Sequence, residues 1–113
     1  MIDRVVADLK KIEGIAHVGI IEGNNPIVSD LSPEESKTLS EILKDIYDVS
    51  DKTAKSTGMG DLEQVMVSGF EGKMIIAKSG NFLVGIVTET KVNLGLIRLK
   101  LRSILRELKG EKK

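Results

Sequence analysis

Phe82-Leu83-Val84-Gly85-Ile86-Val87 carries no polar side chain on either side of its alternation, and it follows the tight turn Gly80-Asn81. A strand wet on one face alternates apolar with polar residues, so this one must be covered on both faces. Ile15 to Ile21 shows the same two-sided pattern through Val18, Ile20 and Ile21, and so does Lys73 to Lys78 through Met74-Ile75-Ile76-Ala77. Strands wrapped on both sides require helices above and below, which is a three-layer arrangement.

Three segments can supply those helices. Ile2, Val5, Val6, Leu9 and Ile12 share one helical face, and Gly14 is placed to end a first helix over residues 2–13. Ser32-Pro33-Glu34-Glu35 combines a capping serine, a proline at the first helical position and a glutamate three residues on, a capping box. That second helix is expected to run to Thr57 and stop at Gly58; some 25 residues give roughly 37 Å. Its apolar stripe is Leu39, Ile42, Leu43, Ile46 and Val49. A third helix over residues 92–108 places Leu94, Ile97, Leu101, Ile104, Leu105 and Leu108 on one face.

The remaining strands are shorter and less apolar. Pro26 to Ser29 contains a proline that cannot donate to a ladder, which suits a sheet edge or a strand start. Leu62 to Ser68 puts Val65 and Val67 on one side and Met66 on the other. The order is therefore α-β-β-α-β-β-β-α, with short turns that make sequential strands antiparallel. The fold class that follows is α/β of the α+β type. A five-stranded, mainly antiparallel sheet carries helix 2 on one face and helices 1 and 3 on the other, with strands 2 and 3 at its edges. The chain of 113 residues reads as one domain over residues 1–109, followed by a short charged tail, 110–113.

Composition excludes several classes of function. The chain has no cysteine, which removes disulfides, thiolate chemistry and cysteine zinc sites, and fits a reducing, cytoplasmic setting. Aromatic content is 3%, too low for the stacking platforms that bind single-stranded nucleic acid. No apolar run reaches the roughly 18–20 residues of a membrane span, and early Asp3 and Arg4 do not suit a signal peptide. Net charge is zero, yet residues 1–60 hold seven Lys/Arg against eleven Asp/Glu, and residues 61–113 hold ten against six.

No catalytic constellation stands out. His17 is the single histidine, in an apolar strand without an acidic sequence neighbour, and it reads as structural or surface-exposed. Asp45 and Asp48 lie among lysines on helix 2, as on a solvated helix face. Gly58-x-Gly60 follows a helix and is too short for a dinucleotide fingerprint; no phosphate-binding loop motif is present. No catalytic residue, cofactor or metal is expected. Arg98, Arg102 and Arg106 recur at i, i+4 and i+8 and make a basic face on helix 3. It reads first as a solvated face favoured near a helix C-terminus, and otherwise as a partner face for an acidic protein, an anionic surface or nucleic acid.

Helix 2 overshoots the core it has to cover, and strand 3 is an edge without proline. An unprotected edge invites pairing with another chain. Leu39 and Ile46 with Val65, Met66 and Val67 are the expected homodimer interface, joining two sheets into ten strands.

In order along the chain, four segments carry a resemblance: Ile12-Glu13-Gly14-Ile15-Ala16-His17-Val18-Gly19-Ile20, Pro26-Ile27-Val28-Ser29-Asp30, Gly80-Asn81-Phe82-Leu83-Val84, and Asn93-Leu94-Gly95-Leu96-Ile97-Arg98. Together the chain resembles the roadblock (dynein light chain) domain family, especially its stand-alone prokaryotic or archaeal members. The resemblance covers nearly the whole chain. It implies the profilin-like fold above, a homodimer through helix 2 and strand 3, no catalytic site, and a role as scaffold or regulator of a Ras-like small GTPase. One bacterial branch of the family accelerates GTP hydrolysis without donating an arginine finger. Two departures stand out: Gly23-Asn24-Asn25 replaces the frequent Asp-Gly of the first hairpin, and helix 2 is poor in alanine.

The expected function is thus a non-enzymatic, homodimeric GTPase scaffold or regulator. The alternatives are a nucleic-acid or anionic-surface module using helix 3, and a small-ligand sensor of the profilin-like kind.

Overall fold

The computed structural model describes residues 2–111. Its elements are α1 (Ile2–Lys10), β1 (Ile15–Glu22), β2 (Asn25–Ser29), α2 (Pro33–Ser56), β3 (Gln64–Ser68), β4 (Gly72–Ser79), β5 (Phe82–Glu89) and α3 (Leu94–Glu111). The strands form one sheet in the order β2-β1-β5-β4-β3, and every neighbouring pair is antiparallel. The element order, the central strands and the two edge strands are those expected from the sequence.

Two apolar clusters cover the sheet, one per face. On one face α1 (Val5, Val6, Leu9) and α3 (Ile97, Leu101, Ile104, Leu108) pack against Val18, Ile20, Ile75, Val84 and Ile86. On the other face Leu43 and Tyr47 of α2 pack against Ile21, Ile76 and Leu83. Alternation along β5 divides its side chains between the two clusters: Phe82, Val84 and Ile86 go one way and Leu83 the other. The two-sided apolar pattern of this strand is therefore real cover on both faces.

Gly85 lies at the centre of the α2 face. A Cβ built there would stand 2.4 Å from Leu43 Cδ1 and 3.1 Å from Cδ2. Leu43 is 1% exposed. The helix thus rests on the sheet where the sheet has no side chain, and the bare backbone lets it approach closely.

Several element ends differ from the sequence reading. Strand β3 begins at Gln64 rather than Leu62, because both backbone groups of Leu62 bond to side chains of α2 instead of a strand. Helix 1 ends at Lys10 rather than near residue 13, because the Lys11 and Ile12 N–H groups turn to carbonyls three residues back, Asp8 and Leu9. Gly14 does not cap that helix; its carbonyl accepts the Glu89 N–H at 2.7 Å, locking the start of β1 to the end of β5. Helix 3 starts at Leu94 because Asn93 Oδ1 accepts the Leu96 N–H at 3.0 Å and acts as the N-cap. It runs on to Glu111, into the segment read as a tail; Lys112 and Lys113, with the side chain of Ile2, lie outside the described residues.

Gly85→Val is expected to lower stability in urea unfolding by about 1–3 kcal/mol or more, the range for overpacking a tight core. Combined with Leu43→Ala, the loss should be clearly less than the sum of the two single losses, because both act on one contact. Full additivity would show that Leu43 does not rest on Gly85.

Candidate functional site

The caps of α2 are the clearest local structure in the chain. Ser32 Oγ accepts the Glu35 N–H and the Glu35 carboxylate accepts the Ser32 N–H, with Pro33 opening the helix. At the other end Met59 N–H bonds to Ala54 O at 2.8 Å and Gly58 N–H to Lys55 O at 3.3 Å, with Gly58 at φ 78°. This is a Schellman stop. The 24 residues between these caps give a rod of roughly 36 Å. The molecule is 38 Å across its longest axis, so α2 is nearly as long as the molecule itself.

The apolar stripe of α2 divides into two. Leu43, Tyr47 and Ala54 are buried, together with the small polar residues Ser36 and Ser40. Leu39 and Ile46 are half-buried at the margin of that cluster. Ile42 and Val49, read from the sequence as core-facing, are instead 45% and 67% exposed. The reason is rotational: with Leu43 seated on Gly85, side chains a further 100° round the helix stand clear of the sheet. Leu39, Ile42, Ile46, Val49 and Thr53 then form a seam with the alternating three- and four-residue spacing of helices that pack against other helices.

β3 lies next to this helix. It pairs with β4 alone, so its other edge is unpaired among the described residues. Val65 and Val67 sit opposite Ile76 and Met74 and share the α2 face; Val67 is 44% exposed. Met66 sits opposite Ile75 on the α3 face and packs partly against the other cluster. Of the five expected interface residues, the structure therefore gathers Leu39, Ile46, Val65 and Val67 on one face, with Met66 on the reverse.

Two side chains of α2 grip the segment leading into β3. Tyr47 Oη donates to Leu62 O at 2.9 Å, and Asp51 Oδ1 accepts the Leu62 N–H at 3.1 Å. Both backbone groups of one residue are thus held by the helix. Lys55 Nζ lies 3.0 Å from the same aspartate. The Lys55 ammonium, with the Leu62 N–H, holds the Asp51 carboxyl below its usual range. Burial in turn pushes the Tyr47 phenol up, and Lys78 Nζ stands 5.7 Å from its ring centre.

The basic face of α3 lies on the opposite side of the sheet. Arg98, Arg102 and Arg106 are all exposed. Arg98 and Arg102, with Leu101 and Leu105, form one wall of a groove of about 290 Å³ whose other wall is Glu63 and Gln64. His17, isolated in sequence, meets Asp30 in space: Nδ1 is 3.4 Å from Asp30 Oδ2, which also pairs with Lys10 Nζ at 2.8 Å. Partial burial pushes the Asp30 carboxyl up, but Lys10 and the Val18 N–H outweigh it and hold the group below its usual range. This cluster ties α1 and β1 to the segment entering α2 and is structural. Among the described residues no group of three or more His, Cys, Asp or Glu comes together to hold a metal, and no helix is long and apolar enough to cross a membrane.

This geometry can be compared with known proteins. No family model matches the chain. It is 31% identical over 112 residues to the uncharacterized proteins MJ1340 and MJ0310 of Methanocaldococcus jannaschii, covering 97% of this chain and 98% of each of those. Among solved structures, the roadblock/LC7 domain from Streptomyces avermitilis superposes with a TM-score of 0.89 at 10% identity, over 96% of this chain and 95% of that one. The chain belongs to the family of MJ1340 and MJ0310, and its fold is the roadblock/LC7 fold. MglB of Myxococcus xanthus has the same fold, with a TM-score of 0.86 at 18% identity over 96% of this chain and 92% of its own. Acanthamoeba castellanii profilin IB is more distant, at a TM-score of 0.59 and 13% identity over 98% and 95% of the two chains. The sequence reading did not separate the exposed seam of Ile42 and Val49 from buried Leu43, although its spacing was visible, and it did not find the grip of Tyr47 and Asp51 on Leu62.

Asp30 and Asp51 both titrate below their ordinary value of 3.8 in the folded chain. The unfolded chain therefore binds more protons in that range, and stability rises with pH there. Urea midpoints are expected to hold near neutral pH and to fall from about pH 5 downward as each carboxyl is protonated. Asp51→Asn, which keeps an acceptor for Leu62, should flatten part of that slope. A midpoint that rises on acidification would contradict the assignment.

Proposed function

We propose that the protein is a homodimeric, non-catalytic scaffold or regulator of a Ras-like small GTPase. The observation that carries this reading is the open apolar seam of α2 beside an unpaired β3 edge. Neither feature is needed by the fold of one chain. A second copy related by a two-fold axis perpendicular to the sheet beside β3 would pair the two β3 strands antiparallel, extend the sheet to ten strands and bring the second helices together on one face. Leu39, Ile46, Val65, Met66 and Val67 are the interface residues in this reading, with Ile42 and Val49 added.

The GTPase partner rests on the resemblance to roadblock proteins and on the shared fold with MglB. Docking then falls to the outer surface of the paired second helices. That surface carries exposed Lys37, Glu41, Asp45 and Lys52, a mixed-charge face that a partner of complementary charge can recognise. A cytoplasmic location, where such GTPases act, belongs to the same proposal.

Light scattering at micromolar concentration is expected to give twice the chain mass. Val65→Lys with Val67→Lys should give a folded single chain, since two charges on the α2 side of an edge block pairing. A monomeric wild-type protein would sink the dimer. For the partner, capture from the source cell's lysate with GDP and with a GTP analogue should recover a Ras-like GTPase in a nucleotide-dependent way with wild-type protein. Equal recovery by the single-chain variant would remove the paired helices as the docking surface.

A further inference from the structure

We infer that the groove between α3 and the β3 edge docks an acidic, amphipathic helical segment of a partner protein. This site lies on the reverse of the sheet from the surface proposed for the GTPase. It is complete within one chain and does not depend on that reading.

The groove has a built wall. Ser79 Oγ of β4 donates to Leu105 O of α3 at 2.7 Å, which staples the helix to the sheet at this point. Leu101 is buried and Leu105 half-buried at the base, and Met66 of β3 packs partly against the same cluster. Above them Arg98 and Arg102 stand one turn apart on the same wall, and Arg106 continues the row a turn further. None of the three arginines makes an ion pair within 4 Å among the described residues. Unengaged guanidiniums beside an apolar base need carboxylates next to apolar side chains as their complement.

Spacing favours a helix as the occupant. Residues four apart rise about 6 Å along a helix, so the three arginines extend over about 12 Å. Glutamates at i, i+4 and i+8 of a second helix repeat at the same interval, and each can take a guanidinium in a two-point hydrogen bond. Leucines flanking those glutamates would meet Leu105 and Met66. Nucleic acid fits less well, because the groove offers no aromatic face on which a base could stack. A flat lipid surface fits less well too, because the arginines line a concave wall.

In the edge-to-edge dimer the two grooves would merge. α3 packs over β4, so the two third helices would lie three strand spacings apart, about 14 Å. Helices in contact lie about 8–10 Å apart, so the two α3 would not touch, and the trough between them would seat one added helix across both rather than one in each groove.

A fluorescein-labelled peptide of about 16 residues, roughly 24 Å of helix, with glutamates at i, i+4 and i+8 beside a leucine stripe, is the probe. Fluorescence anisotropy is expected to show binding that weakens about ten-fold or more for Arg98→Glu with Arg102→Glu, as charge-assisted pairs are lost. A glutamine version of the peptide should be weakened similarly, and Glu63→Lys should tighten binding. Unchanged binding by the double arginine variant, no binding at all, or capture of an oligouridylate or phosphatidylserine vesicles through the same arginines without the peptide would overturn the inference. Light scattering of the same samples separates the two readings. A wild-type dimer that ignores the peptide removes the groove alone. Arginine-dependent binding by the Val65→Lys, Val67→Lys chain supports the groove whatever the state of the dimer.

Discussion

Leu43 resting on Gly85 is the contact on which the α2 side of the molecule depends. A long helix laid across a sheet has one free rotation about its own axis, and a single deep contact fixes it. With Leu43 down, Tyr47 falls on the next turn over the sheet, Ser36 and Ser40 take the turns before it, and Leu39 and Ile46 flank the contact. Ile42 and Val49 then have nowhere to go but outward. The exposed seam is thus produced by the same packing that stabilises the single chain. Glycine at position 85 weakens β5 as a strand in isolation, and that local cost is what lets the helix sit so low.

The third strand is held differently. It has one strand neighbour and no buried face as deep as those of β1 or β5. Its position is set at the lead-in, where Tyr47 and Asp51 take both backbone groups of Leu62. The helix that presents the seam therefore also aligns the edge beside it. Disturbing either one through this hinge of three residues reaches the other. Sheet edges with few buried contacts open most readily, which makes this polar grip the weak and adjustable part of an otherwise aliphatic core.

Much of this architecture was legible in the sequence because local signals coincided. Strands apolar on both faces, a capping box at Ser32, and a proline in one short strand were enough to place helices, central strands and edges. What stayed hidden depended on contacts between distant segments. Leu39 through Val49 read as one apolar arc, and only Gly85 decides which part of it faces inward. His17 looked solitary because its partner Asp30 arrives through the β1–β2 hairpin. The arginine row of α3 was plain from its four-residue repeat, yet its groove exists only because Glu63 and Gln64 come alongside from another element. Helix ends shifted for the same reason: Asn93 caps α3 with a side-chain bond that periodicity does not register.

The two edges of the sheet are unequal. β2 carries Pro26, which has no N–H to offer, and its register against β1 slips at Ile20 and Ile21 in a bulge. β3 pairs with β4 in unbroken register from Gln64 to Ser68. A sheet with two clean edges can add copies at both sides without limit, which is the route to fibres. Here the blunt side ends growth. In the proposed dimer, like meeting like at the clean edge would make a closed, symmetric assembly, and the bulge and proline of β2 would deny that assembly a second site for growth.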